Sequence, residues 1–489
     1  MKRCNARPSK KITEYAKKDN ISDERKTAEL SIAAFIAEHC STKTADHLSV
    51  LINNLDKKSE LLNGVKIHRT KCTALILNVI APCLLEDLIT DIGNEKYSLV
   101  VDESTAVDCT KMMCVMIKYF SKSEKKINLR FYRLLEIEAG DAATLAGTLQ
   151  TQLTSDNLPL KNLIGIGVDG ANVMVGQHNS FSTILRATTN NELVTIKCVC
   201  HSLHLVAEHS FKLLPKHLDF LIKESHNWFS LSSKRQIAYR NLYKVMNKKG
   251  PTKIDKLSGT RWLARCNAIN KIIEQWDVLK LHFQMVKESE RCYTAQQLYE
   301  MFADKRNYLY MIFLKQSLSE LIIVNTSFQS EKANSLKLLE DLVNLFKNYL
   351  AIIIPPTRLE KILDKELMDF NFSEYVMSGD YINFGFAFNE ASVGIQKADL
   401  INIRERCKDF IIELCKQIQC RLPANIEILE KINILSPENA TAQIRRPDIT
   451  TLASRFQNLC EDVDKTVSQW NALEWNGPTQ RILNLTGLR

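Results

Sequence analysis

The spacing of hydrophobic residues changes along the chain, from a pattern typical of β-strands to one typical of helices. Between residues 97 and 199, short apolar runs alternate with turn-forming segments, a pattern that is typical of β-strands. This pattern predicts strands over 97–102, 111–120, 127–136, 163–168 and 194–199, and helices over 142–153 and 181–188. After residue 203, apolar positions recur at steps of three and four, which predicts helices. The clearest helical segments are 336–350, 359–370 and 399–418.

The order of the strands predicts the topology of one sheet. The first three strands follow one another directly and can form an antiparallel meander. The last two are each reached through a helix, which favours parallel addition to the same sheet. Asp141 stands just before the first of these helices and is its predicted N-cap. The pattern therefore predicts a mixed five-stranded α/β domain followed by a helical region.

The segment before the strands predicts a separate helical region. Residues 1–26 form a basic arm, with seven basic side chains against two acids in the first twenty positions. Residues 27–95 show helical spacing, for example at Leu30, Ala33, Ala34 and Ala37. We therefore divide the chain into an arm (1–26), a helical N-terminal region (27–95), an α/β core (96–215) and a helical domain (216–489).

Composition narrows the class of protein without fixing a function. The chain has 489 residues, of which 45% are hydrophobic and 25% charged, as expected for a globular protein of several domains. A net charge of +9 permits a polyanionic partner. None of the fourteen cysteines forms a CxxC pair, and no apolar run reaches the roughly 20 residues that a membrane span requires. These features favour a reducing compartment and no membrane.

Two acids follow apolar strands at corresponding places. Asp102 ends the run that starts at Tyr97, and Asp169 ends the run that starts at Leu163. Carboxylates at neighbouring strand ends can converge on Mg²⁺, which prefers oxygen ligands and can support phosphodiester hydrolysis. Acids after strands also serve simply as turn starters. Spacing alone leaves both interpretations open.

A cluster of thiols and imidazoles follows the fifth strand. The segment Cys198-Val-Cys200-His201-Ser-Leu-His204 has CxxH spacing between Cys198 and His201. Such side chains are zinc ligands. Four ligands within seven residues at a strand-to-helix junction are poorly placed to surround one ion, and no second pair is in sight. A structural role, holding the helix start against the sheet, is therefore the favoured interpretation over zinc.

A strongly basic stretch occupies residues 234–265. It contains ten basic residues and one acid, Asp255. Aromatic residues lie within it (Tyr239, Tyr243, Trp262) and just before it (Trp228, Phe229). Cations contact phosphates and aromatic rings stack on unpaired bases, so this stretch favours nucleic acid over an ordinary solvated face. The candidate DNA-binding residues are Lys234, Arg235, Arg240, Lys244, Arg261, Trp262 and Arg265.

Four motifs in this order resemble the hAT superfamily of DNA transposases and the host genes derived from it. They are Val100-Val-Asp-Glu-Ser-Thr105, Gly165-Ile-Gly-Val-Asp-Gly-Ala-Asn172, Cys198-Val-Cys-His-Ser-Leu-His-Leu205 and Ser258-Gly-Thr-Arg-Trp262. Upstream, Ala34-Phe-Ile-Ala-Glu-His39 and Arg69-Thr-Lys-Cys72 look like the same lineage. The sequence is similar to the branch that fuses zinc fingers to a transposase-like body.

The resemblance implies a fold and a set of residue roles. It implies a ribonuclease H-like mixed five-stranded sheet, interrupted by a large all-helical insertion that follows Trp262, with a helical N-terminal segment. Asp102 matches the first catalytic aspartate and Asp169 the second, and together they would hold Mg²⁺ or Mn²⁺. Trp262 matches the tryptophan that stacks on a base flipped out beside the cut, with Arg261 next to it on the backbone.

The remaining matches concern structure and the missing acid. Cys198 and His201 match a CxxH motif that supports the core. The third catalytic acid of the family, a glutamate on the final core helix, has no counterpart: Glu290-Arg291 comes too early and Glu405-Arg406 lies within the insertion-like region. The chain ends about where that helix should begin, and no N-terminal zinc finger is found.

These observations predict a nuclear, transposase-derived protein that binds DNA without cutting it. One alternative is an active metal-dependent transposase or nuclease, completed by a glutamate from a missing segment or a partner. Another is a helical protein-interaction scaffold with protein partners or further copies of itself.

Overall fold

The computed structural model describes residues 22–106, 109–189, 193–257, 262–290, 292–330, 335–362, 364–440, 446–456 and 462–472. These residues form two compact units. The first comprises the described part of Met1–Glu95 with Ser121–Lys125 and Leu153–Pro159. The second comprises Lys96–Phe120, Lys126–Gln152 and the described part of Leu160–Arg489. The domain limits inferred from sequence stay a prediction, and residues 1–21 of the basic arm lie outside the described residues.

The first unit is helical, as the sequence predicts. Its elements are α1 (Asp23–His39), α2 (Thr44–Leu55), α3 (Glu60–Gly64), α4 (Arg69–Leu75), a π-helical turn (Ile76–Ile80) and α5 (Ala81–Ile92). Ala33 and Ile36 on α1 pack with Cys72 on α4 in a small apolar core. Glu29 is buried beside this core and accepts hydrogen bonds from the backbone N–H of Lys66 (2.9 Å) and the Lys71 ammonium (2.5 Å). Hydrogen bonding of this kind offsets the cost of burying the carboxylate.

A continuous helical stretch of 24 residues, Arg69–Ile92, ends this unit. By length and composition it could cross a membrane, and only 6% of its most apolar window is buried. Leu77 and Leu84 are both more than half exposed. The same length and composition also occur in helices of soluble proteins, so this feature is weak evidence for a membrane.

A five-stranded sheet lies in the second unit. Its strands are β1 (Tyr97–Thr105), β2 (Lys111–Ser121), β3 (Lys126–Ile137), β4 (Leu163–Val168) and β5 (Val194–Lys197). Their spatial order is β3-β2-β1-β4-β5. β1 pairs antiparallel with β2 and parallel with β4, and β4 pairs parallel with β5. The predicted mixed five-stranded sheet is confirmed.

The described helices around the sheet are α6 (Ala142–Ser155), α7 (Asn172–Val175), α8 (Phe181–Thr188) and α9 (Val199–Phe211), with a 3-10 turn at Leu160–Asn162. α6 and α8 begin at the predicted residues, whereas the hydrophobic pattern predicts no bounds for α7 or α9. Asp141 caps α6, because its carboxylate accepts the backbone N–H groups of Ala143 (3.1 Å) and Thr144 (3.0 Å). Such a cap satisfies donors that the first helical turn leaves open.

A helical region follows the sheet. Its first helices are α10 (His217–Ser230), α11 (Ser233–Asn247), α12 (Trp262–Glu274), α13 (Trp276–Glu290), α14 (Tyr293–Ala303), α15 (Lys305–Phe328) and α16 (Ser335–Ile353). The later ones are α17 (Pro356–Leu359), α18 (Phe386–Ala391), α19 (Lys397–Arg421), α20 (Pro423–Asn433), α21 (Pro437–Ala440), α22 (Thr450–Arg455) and α23 (Val463–Asn471). α15 is apolar around most of its circumference and packs against α9, α12, α16 and α19. One apolar core, from Val199 on α9 to Ile426 on α20, joins these helices.

The prediction of a helix over 359–370 is wrong. This segment contains the end of α17 and a 3-10 helix, Asp364–Asp369. The Gln419 side-chain amide on α19 donates to the carbonyl oxygens of Met368 and Phe370, both at 3.0 Å. These bonds hold the backbone of residues 368–370 against α19, a tertiary contact that the local periodicity does not encode.

Candidate functional site

Asp102 lies on β1 and Asp169 directly follows β4, and these two strands are adjacent and parallel. β1 and β4 are in register at Val100 and Gly167. Asp102 and Asp169 each stand two residues further along, so their backbones lie at the same level of the sheet. Gly167 faces Val100 across the pair, because a Cβ at Gly167 would lie 3.6 Å from a Val100 methyl carbon. Alternation along the strands therefore directs both acids to the face that carries Val100.

This face of the sheet is open to solvent around the acids. Val100 is 45% exposed and Asp102 is exposed, whereas Leu99 and Val101 on the opposite face are buried. Phe120 and Ile196 share the open face by register and are about 40% exposed. The sheet thus presents two carboxylates on an accessible and partly apolar surface.

Asp169 is held by the turn that follows β4. Its carboxylate accepts the backbone N–H of Ala171 at 3.1 Å, which forms a local turn. Gly170 lies against His201, since a Cβ there would meet the imidazole at 3.5 Å. The backbone N–H of Cys198 donates to the carbonyl oxygen of Val168 at 2.8 Å. The start of α9 is therefore joined to the turn that carries Asp169, in agreement with a structural role for Cys198 and His201.

The described residues supply only part of a metal-binding set. Asp102 and Asp169 are oxygen donors of the type that Mg²⁺ or Mn²⁺ uses. In the part of the chain that the structure describes, no group of three His, Cys, Asp or Glu side chains is close enough to hold an ion. One oxygen of Asp169 is already engaged with Ala171. The pair alone does not complete a metal site, and the catalytic roles of both acids stay a prediction.

The N-terminus of α9 makes one of its thiols unusually acidic. The Cys200 thiol hydrogen-bonds the sulfur of Cys198, and the backbone N–H groups of His201 and Cys200 point toward the same sulfur. These interactions lower the pKa of the Cys198 thiol to about 6. Cys198 is exposed, whereas Cys200 is half-buried, with its sulfur 3.6 Å from the carbonyl oxygen of Asn325. Helix N-termini stabilise thiolates in this way.

We expect alkylation of Cys198 by iodoacetamide to rise with pH around a midpoint near 6, because the thiolate forms above the pKa and is the reactive species. The measurement is the labelling rate of the Cys198 peptide by mass spectrometry between pH 5 and 9. Cys200→Ala removes the hydrogen bond and should move the midpoint upward. A midpoint of 8 to 9 in the unmodified chain would contradict the assignment.

The basic stretch forms an exposed surface on α11 and the loop after it. Lys234, Arg240 and Lys244 lie exposed on α11, and Lys248 ends the helix in a left-handed conformation with φ of 56°. Lys249, Lys253 and Lys256 follow, all exposed. Within the described ranges, none of these seven side chains forms an ion pair. We call these seven residues the cationic surface.

Two other predicted DNA-binding cations are engaged inside the protein. Arg265 forms an ion pair with Asp219 (2.6 Å), which ties α12 to α10, and its side chain is only 18% exposed. Arg235 lies 3.5 Å above the ring of Trp228 and pairs with Glu290 at 3.4 Å. Both contacts give these arginines a structural task. The DNA-binding roles of Arg235 and Arg265 stay a prediction. The same holds for Arg261, which lies outside the described residues, and for Trp262, whose side chain lies outside them.

The interleaved aromatic residues mostly face the protein interior. Tyr239, Tyr243 and Trp228 are each at least 95% buried in the helical core. The Trp228 indole donates to His282 at 3.1 Å, and the Tyr239 hydroxyl donates to Gln275 at 3.0 Å. These three rings are therefore not exposed among the cations of the helix surface. Amphipathic spacing on α10 and α11 could have indicated that they form the inner face.

Comparison with known proteins gives one match. Residues 24–180 match the family model DUF4371, described as "ZMYM1/FAM200, RNase-like domain". The matched segment is about a third of the chain and includes Asp102 and Asp169 but ends before Cys198. No curated protein matches the chain. With the mixed sheet, this match identifies an RNase-like α/β domain accompanied by helical regions, a combination that fits a transposase-derived protein.

Proposed function

We propose that this chain is a transposase-derived protein of the hAT lineage that binds DNA in the nucleus and does not cut it. The observation that carries the proposal is the cationic surface. Seven exposed cations within 23 residues, without acid partners among the described residues, create a local positive field that a protein surface normally compensates. The phosphates of a nucleic acid supply negative charges that compensate these seven cations.

The spacing of these cations suits a nucleic-acid backbone. Arg240 and Lys244 lie four positions apart and form a short row on one side of α11, and Lys248 follows at the C-cap, just outside the helix. With a rise of about 1.5 Å per residue, Arg240 and Lys244 lie roughly 6 Å apart along the helix axis. Such a row can contact successive phosphates without reading the base sequence. We therefore expect affinity that depends strongly on salt and weakly on sequence.

The absence of cutting is proposed from the incomplete acid set. Cutting by two metal ions requires carboxylates that hold both ions against the reacting phosphate. Asp102 and Asp169 would hold Mg²⁺ or Mn²⁺, which would polarise a phosphate oxygen and activate water. No third acid joins them among the described residues. Loss of one catalytic group typically costs orders of magnitude in rate.

Salt titration tests the binding proposal. With about five phosphate contacts, we expect duplex affinity to fall roughly 10²- to 10³-fold between 50 and 200 mM NaCl, because released counterions drive the binding. Fluorescence anisotropy with a labelled duplex of arbitrary sequence measures this. An affinity that does not change over this range would rule out phosphate contacts as the basis of binding.

The register of Asp102 and Asp169 favours one alternative, an active metal-dependent nuclease or transposase completed by an acid from elsewhere. Incubation of the chain with a labelled duplex and Mn²⁺ separates the two functions. Cleavage that Asp102→Asn abolishes would support the alternative, whereas an intact duplex that still binds supports the proposal. A helical scaffold for protein partners or for further copies of this chain is favoured by the exposed stretch Arg69–Ile92. It predicts no salt-dependent DNA binding at all.

A further inference from the structure

A cavity opens directly beside the cationic surface. It has a volume of about 200 Å³ and lies between the end of α10, the first half of α11 and the loop at 251–254. Its lining residues are His226, Phe229, Ser230, Gln236, Tyr239, Arg240, Pro251, Thr252, Lys253 and Ile254. Two of them, Arg240 and Lys253, belong to the cationic surface, and no acidic side chain is among the described residues that line the cavity.

The wall of the cavity is held rigidly. Gln275 is buried and accepts a hydrogen bond from the hydroxyl of Tyr239, a lining residue, at 3.0 Å. Its amide donates to both the carbonyl and the hydroxyl oxygen of Thr252, each at 3.1 Å. On the other side, His226 Nδ1 donates to the carbonyl oxygen of Ile254 at 2.9 Å. The loop is thus fixed to α10 and to the junction between α12 and α13, which lowers the entropy cost of ordering a ligand.

The chemistry of the wall is that of a base-binding pocket. The rings of Phe229 and Tyr239 lie with centroids 4.7 Å apart and give an aromatic side. Gln236 donates its amide to the carbonyl of Phe229, which leaves its side-chain oxygen as an acceptor. Polar groups placed around an apolar, aromatic cavity are typical of small-ligand pockets. At about 30 Å³ per water, the cavity holds roughly six or seven water molecules, enough space for one heteroaromatic ring system but not for a base pair.

We propose that this cavity binds one unpaired nucleotide of a DNA strand, with the base inside and the flanking phosphates on Arg240 and Lys253. The proposal rests on the proposed function, because the same cationic surface holds the duplex. In the cavity, an unpaired base replaces water as the neighbour of the aromatic rings. The phosphates on either side of it contact Arg240 and Lys253, which lack acid partners within the described residues. A duplex with a single-stranded end therefore gains a contact that a blunt duplex cannot make.

The test compares one DNA stem in two forms, blunt and with an overhang of three nucleotides. The unmodified chain is expected to bind the overhang form at least about 5-fold more tightly, the lower end of what one stacked base contributes. Ser230→Trp places an indole in the cavity and should bring the ratio of the two affinities to about 1. Gln236→Phe, a second filling variant, should do the same. Because the ratio is taken within each variant, a general loss of binding cancels.

Ser233→Trp is the matched control. Ser233 is exposed on α11 three residues away, does not line the cavity, and should keep the overhang preference. A ratio near 1 in the unmodified chain, with salt-dependent binding intact, would overturn the pocket and leave the proposed function standing. If the unmodified chain bound neither form of the DNA, the proposed DNA-binding function would be overturned instead. Competition by free deoxynucleoside monophosphates without any overhang preference would overturn the assignment to a strand.

Discussion

Replacing Arg240, Lys244, Lys248 and Lys253 together with alanine is expected to weaken duplex binding on the order of 10³-fold at 0.1 M salt. Each lost phosphate contact removes roughly one released counterion, so the slope of log affinity against log salt should also become shallower by about 3 to 4. All four side chains are exposed and lack ion-pair partners among the described residues, so the fold should not change. Anisotropy titrations at several salt concentrations measure both quantities.

The control removes the same number of charges from elsewhere. Lys315 on α15, Lys361 after α17, and Lys397 and Lys416 on α19 are also exposed. Their replacement by alanine lowers the net charge equally but leaves the cationic surface intact. We expect affinity within about threefold of the unmodified chain. Equal losses in both quadruple variants would mean that net charge, not this surface, drives the binding.

Acidification is expected to destabilise the helical region by about 3 kcal/mol through one histidine. Burial among aromatic rings, together with the positive charge of Arg235, lowers the pKa of His282 to about 4. In the unfolded chain the pKa of a histidine is about 6.5. The folded state therefore resists protonation, and the stability from the neutral ring is fully present above pH 6.5 and is lost as the pH falls toward 4.

The hydrogen bond to Trp228 explains why protonation is costly. The indole N–H donates to His282 Nε2 at 3.1 Å, and a protonated Nε2 cannot accept it. The measurement is the free energy of unfolding in urea at pH 7, 5.5 and 4. His282→Gln should show a shallower loss, because glutamine does not titrate. His178→Gln, at an exposed position, should follow the unmodified chain. A constant difference between His282→Gln and the unmodified chain across this pH range would disprove the assignment.

Local sequence was sufficient where neighbouring residues determine the conformation. Alternating apolar runs set the five strands to within a few residues, and Asp141 was recognisable as a cap because its partners lie two and three positions away. The placement of Asp102 and Asp169 followed from strand order, since parallel strands that are adjacent bring their ends together. The acidity of Cys198 also has a local cause, the Cys200 thiol and the backbone N–H groups in the first turn of α9.

The tertiary structure alone decided which of the basic and aromatic residues are available to a ligand. By sequence alone, Arg265 and Arg240 are equivalent cations. In the structure, Arg265 forms an ion pair with Asp219, 46 positions away, whereas Arg240 is exposed. Tyr239 and Trp228 stand among cations in the sequence, yet in the structure they pack against His282 and Phe283 of α13. The cavity beside Arg240 exists because Gln275 fixes a distant loop. Sequence determines periodicity and local caps because these act between near neighbours; pairing and burial between distant elements depend on how the whole chain packs.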